Sequence, residues 1–270
     1  MESGIGGIML LENKVALITG AGRGLGRATA VAMAKEGAAV ALMSRTALEL
    51  EETAALVEKE GGRALVLPFD ITEEAAVRDA VKQALAALDG LHILFNNAGI
   101  LGPAAPVHEV DPDDWERTIA VNLNSVRQIC QEVIPHMIGA GGGRIITVTS
   151  GLGQIVMPMF GTYSVSKAAV DHMTRIMAQE LGGFDIQVNG LDPGVMDTRM
   201  QEEIRDLGPD ILGSPLHNQF VAFKEAGNLR SPEEVAPLAV FLASDHSVGI
   251  TGEIGGAAEY RDFGYGLSED

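Results

Sequence analysis

Tyr163 and Lys167 stand four positions apart in Thr162-Tyr-Ser-Val-Ser-Lys167, and Ala168, Ala169 and Val170 continue a run that predicts a helix capped by Thr162. Residues at that spacing share one helix face. A free tyrosine titrates near ~10 and is a spectator at neutral pH. A fixed ammonium beside the phenol would favour phenolate and lower that value, making the hydroxyl a usable proton donor and acceptor. Ser150, thirteen residues earlier, ends the apolar run 145–148 and is placed to hold a carbonyl oxygen beside the phenol. Alone, Tyr-x-x-x-Lys is equally the exposed face of an ordinary helix, so the surrounding elements must decide.

Those elements alternate. Residues 14–19 read as a strand, followed by Gly20-Ala-Gly-Arg-Gly24-Leu-Gly26 and an apolar-periodic helix to about Glu36. Strand, glycine-rich turn and helix in that order form a phosphate site, because glycines let backbone approach a ligand and the helix start offers unpaired N–H groups. The second strand, 39–43, ends in Ser44-Arg45, near the ~20-residue offset where a carboxylate would grip the ribose hydroxyls of NAD. Serine stands there instead, and Arg45 with Arg23 favours a 2′-phosphate through charge-assisted hydrogen bonds, hence NADP(H).

Further strands are expected at 63–68, 93–96, 144–149 and 186–191, with a short last one near 252–257. Asp70 can accept from an adenine amino group or simply cap a turn, and Thr72 is expected to cap the next helix. Asp111, with Pro112 and acids behind it, starts a long helix through Asn122 to about Met137. Asparagine amid Ile119, Val121 and Leu123 needs a polar reason if buried. Pro193-Gly194 breaks the chain, and 195–227 has the glycine and proline joints of a substrate lid before the capping box Ser231-Pro-Glu-Glu234. Residues 1–13 are expected as a flexible N-terminal tail, with Met9 a second candidate start; 14–258 as one domain; and 259–270 as a C-terminal tail.

Composition limits the partners. The 270 residues suit one α/β domain, and the net charge of −18 opposes nucleic acid and anionic membrane. The single cysteine, Cys130, permits no intrachain disulfide and reads as core, while six histidines with no His-x-x-x-His pair predict no metal site. With no apolar span and no export signal, the expected location is the cytoplasm.

The ordered set Thr19-Gly-x-x-x-Gly24-x-Gly26, Asp70, Asn96-Asn-Ala-Gly99, Asn122, Ser150, Tyr163-x-x-x-Lys167 and Pro193-Gly194 with Thr198 resembles the short-chain dehydrogenase/reductase family. The resemblance implies a doubly wound Rossmann fold, a seven-stranded parallel sheet in the order 3-2-1-4-5-6-7 with helices on both faces. It implies hydride transfer between nicotinamide C4 and a ketone or alcohol. Tyr163 would be the acid/base, Ser150 the orienting donor, Lys167 the group on the nicotinamide ribose that lowers the tyrosine, and Asn122 part of a proton relay. Gly20, Arg23, Gly24, Leu25, Gly26 and Arg45 would hold the adenosine and phosphate end, and Asp70 and Ile71 would sit at adenine. Asn97, Ala98 and Gly99 would run along the cofactor, with Pro193, Gly194, Val195 and Thr198 at the carboxamide. The expected substrate pocket is Leu152, Gln154, Met157, Phe160, Met196 and Met200, with Gln154 the polar selector and core packing the rival role for each methionine. The run Asp192-Pro-Gly-Val-Met-Asp-Thr-Arg-Met-Gln201-Glu-Glu-Ile-Arg205 is similar to the sepiapterin and benzil reductase branch; 3-oxoacyl-carrier-protein reductases share the other motifs. The ending Gly252-Glu-Ile-Gly departs from the family's usual Asp-Gly-Gly. A homodimer or homotetramer is the implied assembly, and an idle NADP(H)-binding sensor is the non-enzyme alternative.

Overall fold

A computed structural model describes residues 9–267; residues 1–8 and 268–270, parts of the two expected tails, lie outside them. Strands β1 (Val15–Thr19), β2 (Ala39–Ser44), β3 (Arg63–Pro68), β4 (Ile93–Asn96), β5 (Gly143–Val148), β6 (Ile186–Leu191) and β7 (Ile254–Gly255) form one parallel sheet, ordered β3-β2-β1-β4-β5-β6-β7. Parallel neighbours need long crossovers, and helices supply them: α1 (Gly24–Lys35), α2 (Ala47–Lys59), α3 (Glu74–Leu88), α4 (Pro112–Ile119), α5 (Ser125–Ala140) and α6 (Gly161–Leu181). After β6 come α7 (Arg199–Asp206), α8 (Gly208–Leu212), α9 (Ser214–Glu225) and α10 (Pro232–Ala243), and after β7 the short α11 (Ala257–Tyr260).

Alternation along each strand feeds two cores. Ala16 and Ile18 of β1 and Val40 and Leu42 of β2 face α1, α2 and α10; Val15, Leu17, Ala41 and Met43 face α3, α5 and α6. Buried on both faces, such strands read as unbroken apolar runs. The order reverses between β1 and β4, so the carboxyl ends of the strands open a crevice there, where such folds take ligands.

Four expectations need correction. Chain 9–13 is no loose tail: Leu11 is fully buried, and the Leu10 and Leu11 N–H groups donate to the Glu36 carboxylate and carbonyl. The C-terminal tail is also anchored, since buried Tyr260 donates to the Gly190 and Glu253 carbonyls and Tyr265 packs edge-on against Phe241. Thr162 and Thr72 cap no helix. The Tyr163 helix starts at Gly161 with Thr162 already inside it, and the Thr72 hydroxyl donates to Asp70. Asp111 and Ser231 do cap as expected.

Candidate active site

The glycine turn leaves β1 and enters α1 with Arg23 as a flanking residue that makes no side-chain cap. Gly24 has φ +52°, a conformation costly for other residues, and a Cβ there would meet nothing nearer than Thr198 Cγ2 at 3.9 Å. The first turn is therefore open to an approaching group. Gly26 differs: its Cβ would collide with the Gly20 carbonyl, so this glycine serves packing. Leu25 is buried beneath the turn. Asn97, the first residue past β4, braces it, its amide donating to the Thr19 carbonyl at 2.9 Å and to the Gly20 carbonyl at 3.2 Å, while the Asn97 and Ala98 N–H groups reach Thr19 Oγ1.

At the end of β2 the Ser44 hydroxyl is buried without a partner among the described residues, and Arg45 is exposed. Arg23 is exposed too, its guanidinium 3.7 Å from the Glu49 carboxylate. That carboxylate, from the first turn of α2, was not anticipated from the sequence. Asp70 accepts from the Thr72 N–H at 2.9 Å and hydroxyl at 2.8 Å. Burial raises its carboxyl, but these two bonds, with Arg45 and Arg117, hold it below the usual range. Ile71 packs into the core under α3.

The crevice floor holds the second group. Asn122 lies in a π-helical turn, residues 120–124, between α4 and α5. Its Oδ1 accepts from Ile100 N–H at 2.8 Å, and its amide donates to the Ile100 carbonyl at 2.9 Å and to Ser166 Oγ at 3.0 Å. These bonds are the polar reason for a buried asparagine, and they tie the chain after β4 to α6. π-turns leave main-chain groups out of the regular ladder and recur at functional sites. Gly99 fits between Asn122 Oδ1 and Lys167 Nζ, 3.4 and 3.8 Å from its Cβ position.

Ser150 begins the turn after β5, and Tyr163 and Lys167 lie on the first turns of α6, buried at 8% and 5% exposure. Lys167 Nζ donates to the Val148 carbonyl at 2.7 Å and sits 5.7 Å from the Tyr163 ring centre. The expected lowering of the tyrosine does not occur here. Burial pushes the phenol up to about 12; Ser150 pulls it down and Asp192 adds to the rise. Burial is also the larger effect at Lys167, pulling its ammonium down to about 8 against Asp171 and Asp192. Desolvation overrides the pairing expected from helix geometry.

Above the phenol, Leu101, Phe160, Tyr163, Ile204, Leu212 and Phe220 form a separate apolar cluster, with Leu152, Met157 and Met200 at its margin. Two expected pocket residues go elsewhere. Met196 packs toward the α1/α10 core and bridges to Arg230. Gln154 is exposed and its amide lies toward Asp171, which does not support a selector role. Pro193 is buried, the Gly194 N–H donates to Asp192, the Val195 carbonyl accepts from Arg230, and Thr198 flanks α7 beside Gly24. Cys130 is buried beside Asn96, its thiol pushed up to about 12, as suits core. No cluster of metal-ligating side chains occurs among the described residues, and no helix there is long and apolar enough to cross a membrane.

A glycine turn at the sheet's switch point, with buried Tyr163, Lys167 and Asn122 and a half-buried Ser150 beside it, defines the class. The family described as "short chain dehydrogenase" matches residues 14–207, and the chain belongs to it: oxidoreductases acting on CH–OH groups with a nicotinamide cofactor. The chain is 36% identical to cis-4-hydroxycyclohexanecarboxylate dehydrogenase of Sinomonas cyclohexanicum, over 89% of this chain and 93% of that protein. It is 34% identical to a 3-oxoacyl-acyl-carrier-protein reductase of Thermotoga maritima, over 91% and 96%. A solved NAD⁺-bound xylitol dehydrogenase superposes with a TM-score of 0.85 at 30% identity, covering 91% of this chain and 98% of that one.

Proposed function

We propose that this protein is an NADP(H)-dependent carbonyl reductase that interconverts a lipophilic ketone or dicarbonyl and its alcohol. The observation that carries the reading is the burial of Tyr163 and Lys167 beside a half-buried Ser150, beneath an apolar cluster and next to the glycine turn. The residues fit a dinucleotide: an open first turn at Gly24, an unpartnered Ser44 hydroxyl, and a Lys167 ammonium with protons beyond the one given to Val148. Arg23 and Arg45 suit a 2′-phosphate, Asp70 and Ile71 the adenine edge, and Gly99, Val195 and Thr198 the nicotinamide end. When bound, the nicotinamide supplies or takes a hydride at C4.

The chain's own residues handle the proton. The Ser150 and Tyr163 hydroxyls donate to the carbonyl oxygen and offset its growing negative charge. The Tyr163 proton then passes to that oxygen, completing the alcohol. Lys167 holds positive charge behind the phenol and has donors for a ribose. Leu152, Met157, Phe160 and Met200 give the substrate an apolar wall. A homodimer or homotetramer is the proposed assembly. The second reading is a 3-oxoacyl-thioester reductase, supported by the Thermotoga relative.

Cofactor choice rests on a contest, since Glu49 occupies Arg23 where a 2′-phosphate would go. Fluorescence titration should show NADPH binding more tightly than NADH, and Arg45→Asp should reverse that order. Equal wild-type dissociation constants would defeat the NADP reading. Turnover of cyclohexanones, vicinal dicarbonyls and an acetoacetyl thioester with the preferred cofactor separates the two substrate readings.

A further inference from the structure

Asp171 lies on α6 one turn beyond Lys167, 3% exposed, and neither carboxylate oxygen has a partner of full hydrogen-bond geometry among the described residues. A buried carboxylate left this way costs stability. The polar side chains that face it are the Thr149 hydroxyl and the Gln154 amide, with the charges of Arg175 and Lys167 beyond. Thr149 and Gln154 bracket the turn that carries Ser150.

The connection to Ser150 is direct. The β5–β6 ladder ends at Val148 and Leu191, and the Thr149 N–H still reaches the Leu191 carbonyl. The next N–H, that of Ser150, has left the sheet; Thr149 Oγ1 accepts it at 2.5 Å. A hydroxyl that accepts there has its own proton to donate, and Asp171 is the acceptor facing it. Past Ser150 the turn lies flat on α6: a Cβ on Gly153 would come within 3.1 Å of Ala168 N and 3.2 Å of an Asp171 oxygen. At its far end Gln154 meets the same carboxylate.

We propose that Asp171 is a positioning residue: through Thr149 and Gln154 it fixes the peptide plane of Ser150 and hence the direction of the Ser150 hydroxyl. A threonine side chain is stiff at χ1, so one bond to its hydroxyl sets the acceptor that the Ser150 N–H finds. The role rests on the proposed part of Ser150 in the reaction, and the experiment separates the two.

The test is a mutant cycle, with turnover of a cyclohexanone or vicinal dicarbonyl, cofactor affinity by fluorescence, and melting temperature read together. Thr149→Val keeps shape and removes the hydroxyl; Asp171→Leu removes the acceptor, and Asp171→Asn and Thr149→Ser each retain one. Thr149→Val and Asp171→Leu should each lower kcat about 10-fold, on the order of one lost positioned hydrogen bond. Thr149→Ser and Asp171→Asn should recover most of it. Thr149→Val should hold cofactor affinity within about two-fold, and Asp171→Leu should leave the melting temperature level or raise it by about 2–4 °C. In a Ser150→Ala background neither change should lower kcat further. If Ser150→Ala is impaired while Thr149→Val turns over normally, or if the losses multiply in that background, the positioning role is wrong. If Ser150→Ala itself turns over normally, the reading of Ser150 fails first and takes the inference with it.

Discussion

At the scale of single residues, burial decides the chemistry. Tyr163→Phe keeps the ring in its apolar cluster and removes only the hydroxyl, so folding and cofactor affinity should survive while turnover falls ~10² to 10⁴-fold. Wild-type turnover in that variant would place the proton donor elsewhere. Lys167 sets the pH profile. With its ammonium pulled down to about 8 by burial, it discharges as pH rises through that value, whereas the phenol, pushed up to about 12, stays protonated. Reductive kcat/KM, which reports the free enzyme, should fall above about pH 8, and Lys167→Met should start lower and lose that limb. A limb that persists in the mutant belongs to another group. Stability runs the other way. Between about 8 and the ordinary lysine value the unfolded chain binds the proton that the folded chain has released, so this residue's contribution to stability rises with pH there. Spacing made the Ser150, Tyr163, Lys167 and Asn122 set legible. It could not reveal Glu49, Thr149 or Asp171, whose places depend on contacts between different elements.

At the scale of elements, apolar periodicity carried most of the architecture. Strands at 63–68, 93–96 and 186–191 end where the sequence predicts, because turn formers bound them; the latter two are also buried on both faces, whereas the edge strand 63–68 is only partly covered. Caps proved less legible. Thr162 and Thr72 have the right side chain, but a cap needs a backbone that has left the helix with its oxygen turned toward the next N–H groups. The packing of α6 starts the helix one residue earlier, and Asp70 claims the Thr72 hydroxyl. The last element was the hardest to read, since residues 257–263 carry too short a pattern to show periodicity. Its anchor is Tyr260, whose hydroxyl clamps the Gly190 carbonyl at 2.9 Å and the Glu253 carbonyl at 3.0 Å, joining β6 to the chain before β7. Tyr260→Phe keeps the ring and removes the one proton shared between the two carbonyls, while the Glu253 carbonyl keeps the Gly190 N–H, so it should cost about 0.5–1.5 kcal/mol. Urea unfolding reads this as a lower midpoint at unchanged slope. A midpoint equal to the wild type would show that the clamp is not holding the sheet edge.

At the scale of the whole molecule, two cores flank the sheet and a third cluster stands apart from both. That third cluster is what α7, α8 and α9 contribute, through Ile204, Leu212 and Phe220, the last packed edge-on against Phe160 with ring centres 5.9 Å apart. A small satellite cluster buries less apolar surface than a sheet-facing core, so its helices open at lower free energy than the rest. They share that cluster with Tyr163, which is 8% exposed. We propose that 195–227 is a lid whose closure completes the pocket. The hinge ends are Gly194 and Gly227, with φ +68° and +66°. Phe220 packs the lid onto Phe160 of the body, and the Lys224–Asp197 ion pair ties the two ends of the lid to each other. Backbone amides of α7 and α9 should exchange hydrogen faster than those of α5 and α6 in the free protein. They should slow when NADP⁺ and an alcohol or ketone ligand are added together, and less with NADP⁺ alone, because the ligand supplies the missing apolar contact. Phe220→Ala should speed exchange in α9 and raise KM more than it lowers kcat. Exchange in 195–227 that matches α6, and does not change with saturating ligands, would mean a fixed wall over Tyr163 and a substrate path from another side.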